Sequence, residues 1–195
     1  MRKTKPRSAA GKNTHVAYDD YKLQLSQNYI HILAIVACTL NCVLIVPDWL
    51  LIVSFQSRIV VAVIRLLYSG LLVFVSVQTK RTRAFQPLSI LITVSEGLAL
   101  TIFLFVMTQY THFNFMIQAM GYIAFILIVF AVPNRIQYTL ILTILGAAGF
   151  FICAVLYHGT IESTEFWAAL VYVSLTTVLC VIAAASTERH QFREY

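Results

Sequence analysis

Charged residues are what this chain has least of. Asp, Glu, Lys and Arg make up 11% of its 195 residues, less than half the roughly 25% of a typical soluble domain. There is too little polar surface to coat a water-soluble globule, which excludes a cytosolic enzyme. Proline and glycine are also sparse, at 4 and 7 residues, so few positions can break a helix. Cysteine is limited to Cys38, Cys42, Cys153 and Cys180. All four fall inside apolar runs, where they read as small packing residues rather than a disulfide framework. No catalytic motif is present. Disorder is excluded in turn by 13 Phe and 10 Tyr, far too much aromatic surface for a chain that stays unfolded.

What remains is apolar: 59% of residues are hydrophobic and the mean hydropathy is +0.80. Since a spanning helix needs roughly 20 mostly apolar residues, the sequence reads as an all-α integral membrane protein, a compact six-transmembrane-helix bundle with short loops. The spans run from about Tyr29 to Val46, Ile59 to Val77 (starting as early as Trp49), after Pro87 to Thr108, Ile117 to Val132, Ile136 to Tyr157, and Phe166 to Ser186. Pro47, Pro87 and Pro133 mark span boundaries, in keeping with a residue that lacks a backbone donor. The stretch from Trp49 to Ser57 is too apolar for an ordinary exposed loop. It either opens a long second helix or lies in the membrane interface.

Basic residues set the orientation. Arg2, Lys3, Lys5, Arg7, Lys12 and Lys22 precede the first span; Lys80, Arg81 and Arg83 follow the second; Arg135 follows the fourth; Arg189 and Arg193 follow the sixth. With six spans these all fall on one side, so both termini are expected to be cytoplasmic. The other side holds Arg58, Asp48, Glu162 and Glu165. Three segments result: a basic cytoplasmic arm over 1–28, the six-helix domain over 29–186, and the start of a helical linker over 187–195. The arm reads as a flexible tail touching anionic lipid, not as a nucleic-acid binder, and no cleavable signal peptide is expected from it.

Ionisable groups inside a membrane are costly and mark functional candidates. Arg65 in the second span and Glu96 in the third lie on antiparallel neighbours. Their depths differ by about five residues, roughly 7–8 Å, a gap a long Arg can close. An Arg65–Glu96 ion pair facing the bundle interior is therefore expected. It either fixes the packing of two helices or lines a polar cavity. Tyr68 lies one turn after Arg65. Together with Asn41, Tyr122 and Tyr172 these residues either outline a central pocket or tie helices together by hydrogen bonds.

His31, Cys38, Asn41 and Cys42 share one face of the first span, which should meet other helices. His31 and Cys38 are two turns apart, about 10 Å, too far to share one ion, so no metal site is expected. His31 is the one histidine near the interior of a span, so no haem or other cofactor is expected either. Thr139, Thr143 and Ala147, with Gly146 and Gly149 beside them, form a small-residue face that allows close packing, within the bundle or in a dimer contact. Tyr172, Thr176, Cys180 and Ala184 form a second face, for internal packing or a dimer. His158, Glu162 and Glu165 are the one acidic and histidine cluster in a loop, and read as solvated.

After the sixth span the chain continues without Gly or Pro through Thr187 to Tyr195, so the helix should extend into the cytosol. At this point the chain resembles the six-span N-terminal modules of bacterial signalling enzymes: diguanylate cyclases with GGDEF domains, class III adenylate cyclases and some histidine kinases. The resemblance rests on Pro47-Asp48-Trp49 with Arg58 and Arg65 downstream, on the Pro133-Asn134-Arg135 turn, and on the Glu188-Arg189-x-x-Phe192-Arg193 exit. It covers essentially the whole chain as architecture. It implies a non-catalytic sensor in a bacterial inner membrane, which binds a small lipophilic or amphipathic signal or senses membrane state. Arg65, Glu96, Tyr68 and Asn41 would line the pocket. Glu188, Arg189, Phe192 and Arg193 would transmit the signal through a homodimer of the last helix to an output domain, a nucleotide cyclase by this resemblance. The rival readings are a small oligomeric transporter or channel, and a membrane enzyme acting on lipids.

Overall fold

The computed structural model describes residues 8–111, 113–159 and 161–194, with side chains described over 23–189 apart from 25, 112 and 160. The described residues form seven α-helices: α1 Ser8–Val43, α2 Ile45–Leu51, α3 Phe55–Arg81, α4 Phe85–Gln109, α5 Phe115–Ala131, α6 Ile136–His158 and α7 Ser163–Glu194. No strand occurs among the described residues. Among the described residues five stretches are long and apolar enough to cross a membrane: Ser26–Leu51, α3, α4, α6 and Ser163–Arg189. The sixth, α5, is shorter at 17 residues, about 25 Å at 1.5 Å per residue. The arrangement is consistent with a helical membrane bundle.

Several boundaries differ from the sequence expectation; α4, for one, opens at Phe85 with Pro87 inside its first turn. The first helix starts at Ser8, well ahead of Tyr29, so most of the basic arm is helical backbone rather than a loose tail. Nor does Pro47 end that helix. The chain makes one turn residue at Leu44 and resumes as α2, with Pro47 in its first turn, where a missing N–H is tolerated. Leu44 N–H still reaches Leu40 O at 2.9 Å and Asp48 N–H reaches Leu44 O at 3.2 Å. The Trp49–Ser57 stretch is thereby divided: Trp49 to Leu51 close α2, residues 52–54 are extended, and α3 opens at Phe55 with Ser54 as its N-cap.

Helix α1 packs chiefly on α3, α3 on α4, α4 on α6, and α7 on α5. The two ends of the bundle differ in charge. One end gathers the α3–α4 and α5–α6 connections and the end of α7, with Lys80, Arg81, Arg83, Arg135 and Arg189. The other carries α2, Tyr110 and His158.

The α1–α3 interface is a polar seam. Val61, Arg65, Ser69, Leu72, Ser76 and Thr79 are buried on α3, at the steps of three and four that form one helical face. Across it, Gln27 Nε2 donates to Thr79 O at 3.0 Å and Thr82 O at 2.8 Å. His31 Nδ1 pairs with Ser76 Oγ at 2.6 Å. Asn41 Nδ2 donates to Ser69 Oγ at 2.9 Å and Arg65 O at 2.6 Å. The His31/Asn41 face thus meets α3, as its spacing predicts. Lipid tails are as apolar as Leu, so such bonds and close packing must hold membrane helices together.

The other half is aromatic. Tyr122, Phe150 and Phe115 are buried in one cluster. Phe150 stacks on Tyr122 at 5.5 Å and on Phe115 at 5.6 Å between ring centroids, and Phe166 of α7 meets Phe151 edge-on at 5.2 Å. The small-residue side of α6 packs inside the bundle. Thr139, Thr143 and Gly146 are buried, and a Cβ at Gly146 would lie 2.7 Å from the Tyr122 hydroxyl.

Candidate functional site

Two buried polar clusters, rather than one central pocket, hold the ionisable residues. The first lies at the α2 end. The Arg65 Nε of α3 donates to Asp48 Oδ2 of α2, forming a buried ion pair. Arg65 Nη1 donates to Asn41 Oδ1 at 3.0 Å. The Tyr110 hydroxyl, just beyond α4, donates to Asp48 Oδ1 at 2.6 Å. Each Asp48 oxygen therefore accepts a hydrogen bond. Burial, and then the Asp48 carboxylate, push the Tyr110 hydroxyl well above the ordinary tyrosine pKa. Nearby, Arg58 sits 5.6 Å from the centroid of the Trp49 ring and donates to Ile52 O, closing the extended connection.

The second cluster lies towards the basic end. Asn134, in the α5–α6 turn, donates from Nδ2 to Thr93 Oγ1 at 2.9 Å and to Glu96 Oε2 at 3.4 Å. Its Oδ1 accepts from Ser89 Oγ at 2.5 Å and from the Arg135 N–H at 2.7 Å. Glu96 is 8% exposed. Its Oε1 is buried and has no hydrogen-bond partner.

The expected Arg65–Glu96 pair is therefore not formed. The reason is directional. Helical side chains lean towards their own N-terminus. On antiparallel α3 and α4, Arg65 leans towards α2 and Glu96 leans towards the α5–α6 turn, so the two diverge. Asp48, read from sequence as a loop residue, is 2% exposed and supplies the counter-charge instead.

The other expected pocket residues have protein partners or face outward. Tyr68 donates to Ser95 O at 3.2 Å. Tyr122 donates to Thr143 O at 2.6 Å, while Tyr172 is 49% exposed on α7. Arg65, Glu96, Tyr68, Asn41, Tyr122 and Tyr172 thus do not converge on one cavity. In the exit segment, Glu188 and Arg189 lie on α7 as an unbroken helix; the side chains of Phe192 and Arg193 lie outside the described residues. In the last loop, the His158 ring stacks on Phe113 at 3.7 Å and its Nε2 meets Met107 O at 3.2 Å. Glu162 accepts from Thr164 at 3.4 Å. Among the described residues no three His, Cys, Asp or Glu side chains are grouped to hold a metal ion.

Sequence reasoning missed Asp48 and Asn134. The signal for Asn134 was available: Ser89, Thr93 and Glu96 recur at helical spacing on α4, and such a stripe needs a polar partner at the basic end.

Comparison with known families, curated proteins and solved structures finds no match.

Proposed function

We propose that this chain is a membrane-embedded sensory or regulatory module with both of its ends on the cytoplasmic side. It responds to a small lipophilic or amphipathic signal, or to the state of the bilayer, and passes that response along α7 to a cytoplasmic output domain. The observation that carries this reading is α7 itself. It runs unbroken from Ser163 to Glu194, from an apolar stretch into polar sequence. Among its described side chains, Ala169 and Val173 are buried in the aromatic cluster on one side, whereas Trp167, Val171, Leu175, Val178, Leu179 and Ile182 are exposed. The exposed side is available to lipid or to α7 of a second copy. For a signal to act, it must bind the two arrangements with different affinity. The gathering of Lys80, Arg81, Arg83, Arg135 and Arg189 at one end supports the orientation.

The intact mass of the native protein in its source membranes tests the reading. A mass larger by a whole domain than 22.0 kDa agrees with it, and a mass near 22.0 kDa removes it. In the larger protein, Ser186→Pro should abolish the response of the output while leaving the unfolding midpoint of the bundle in place, since proline breaks helix continuity.

A second reading, a small oligomeric transporter or channel, is favoured by one observation, the partnerless Oε1 of Glu96 inside the bundle. Proteoliposomes separate the two. Ion or solute flux lost in Glu96→Gln favours transport, and absence of flux favours the sensor.

A further inference from the structure

At the basic end the α1–α3 seam opens into a groove of about 230 Å³ lined by His31, Ser76, Val77, Lys80 and Arg81. We propose that this groove binds the phosphate of a phospholipid of net negative charge, in preference to a zwitterionic one. The inference rests on the membrane reading above and adds to it a ligand site outside both polar clusters.

The charge favours an anion. Lys80 and Arg81 are consecutive residues in the last turn of α3 and both are exposed. Part of the carbonyl charge at this end of α3 is already engaged: Gln27 Nε2 occupies Thr79 O and Thr82 O, and Thr82 N–H bonds Gln78 O at 3.1 Å. His31 is held in place by Ser76 Oγ at 2.6 Å. When Nδ1 accepts from that hydroxyl, the proton of the neutral ring resides on Nε2, which is then a donor. The groove thus combines an ammonium, a guanidinium and an imidazole, the donor types suited to phosphate oxygens.

The surroundings favour a lipid over a free anion. Val77 lines the groove and is 48% exposed. One turn further along α3, Val73 and Phe74 are exposed, and one turn beyond His31 on α1, Ile35 is exposed. Because α1 and α3 are antiparallel, these exposed residues all lie in one direction from the groove, away from the charged end. An acyl chain laid along them stays in contact with apolar surface while its phosphate sits at Lys80 and Arg81. A basic pocket between helices, at the depth where anionic headgroups lie, is the arrangement that selects such lipids.

The test is native mass spectrometry of the full chain in detergent, titrated with phosphatidylglycerol, with phosphatidylcholine, or with inorganic phosphate alone. Phosphatidylglycerol should bind in preference to phosphatidylcholine. The double variant Lys80→Gln/Arg81→Gln should weaken phosphatidylglycerol binding about tenfold or more without changing phosphatidylcholine binding. His31→Ala should weaken it less. Arg189→Gln, a basic change at the same end outside the groove, should leave the preference intact. Equal binding of the two lipids overturns the proposal, as does a preference that survives the double variant. Full competition by inorganic phosphate overturns it in favour of a soluble anion. Failure of the membrane reading is separately visible, as extraction of the protein from membranes by alkaline carbonate without detergent.

Discussion

Asp48 and Arg65 form a buried ion pair between α2 and α3, although 17 positions and a break in the helix separate them in sequence. Asn41 and Tyr110 complete the set, so four segments of the chain meet at one carboxylate–guanidinium contact. Removing one partner of such a pair strands a charge, at a cost of about 3–5 kcal/mol. Asp48→Ala and Arg65→Ala should each lower the unfolding midpoint in detergent strongly. The double variant should lose much less than the sum of the two. Arg65→Ala combined with Glu96→Gln should instead be additive within about 0.5 kcal/mol, the behaviour of sites that share no partner. Strong coupling to Glu96 and none to Asp48 would reverse the assignment.

Tyr110 gives the same cluster an alkaline signature. Its hydroxyl donates to a carboxylate, a bond worth about 1.5–3 kcal/mol, so Tyr110→Phe should destabilise by that order. The folded protein also holds the Tyr110 proton more tightly than the unfolded chain does, first because of burial and then because of Asp48. The resulting stability is complete below the ordinary tyrosine value of about 10 and is lost as pH rises beyond it. Part of the alkaline decline in the unfolding midpoint should therefore disappear in Tyr110→Phe. Identical alkaline profiles would mean that the hydroxyl does not meet Asp48.

These pairings show how far the sequence could be read. The boundaries of α5 and α6 were legible to within two residues, because Pro133 and the polar 158–165 stretch leave little choice, whereas α4 opens at Phe85 with Pro87 inside its first turn. The continuation of α7 was legible from the lack of Gly or Pro after Ser186. The Arg65 partner was not. Depth along the bundle makes Glu96 look reachable, whereas the tilt of helical side chains sends Arg65 and Glu96 opposite ways. Asp48 was hidden behind Pro47, which reads as a helix stop although a proline in a first turn costs little. Asn134 was hidden as a turn residue. Its side chain turns inward because Ser89, Thr93 and Glu96 leave polar atoms that hydrocarbon cannot satisfy.

Glu96 shows what an incompletely satisfied polar group does to stability. One carboxyl oxygen has a long bond to Asn134 and the other has none. Asn134 keeps Thr93, Ser89 and the Arg135 N–H whatever stands at position 96. Glu96→Gln retains an acceptor for Asn134 and removes the ionisable group. Its unfolding midpoint should equal or exceed that of the parent. A loss above about 1 kcal/mol, the net worth of an ordinary hydrogen bond, would show that the carboxyl has a partner of its own.

The tightest approach in the aromatic half is between α6 and Tyr122. A Cβ at Gly146 would lie 2.7 Å from the Tyr122 hydroxyl and 2.9 Å from Leu100 Cδ2. The hydroxyl cannot yield easily, since Tyr122 is fully buried, donates to Thr143 O at 2.6 Å and stacks on Phe150. At Gly149 the new Cβ would meet one Leu104 methyl at 2.9 Å, the end of a side chain that can change rotamer. Gly146→Ala should therefore cost about 1–3 kcal/mol, the usual range for overpacking, and Gly149→Ala should cost less. Tyr122→Phe removes the obstructing oxygen along with its hydrogen bond. Gly146→Ala/Tyr122→Phe should accordingly lose less than the two single changes together, a coupling that a double-mutant cycle measures directly. Additive losses would mean that α6 moves away from α5 as a unit instead of meeting this hydroxyl.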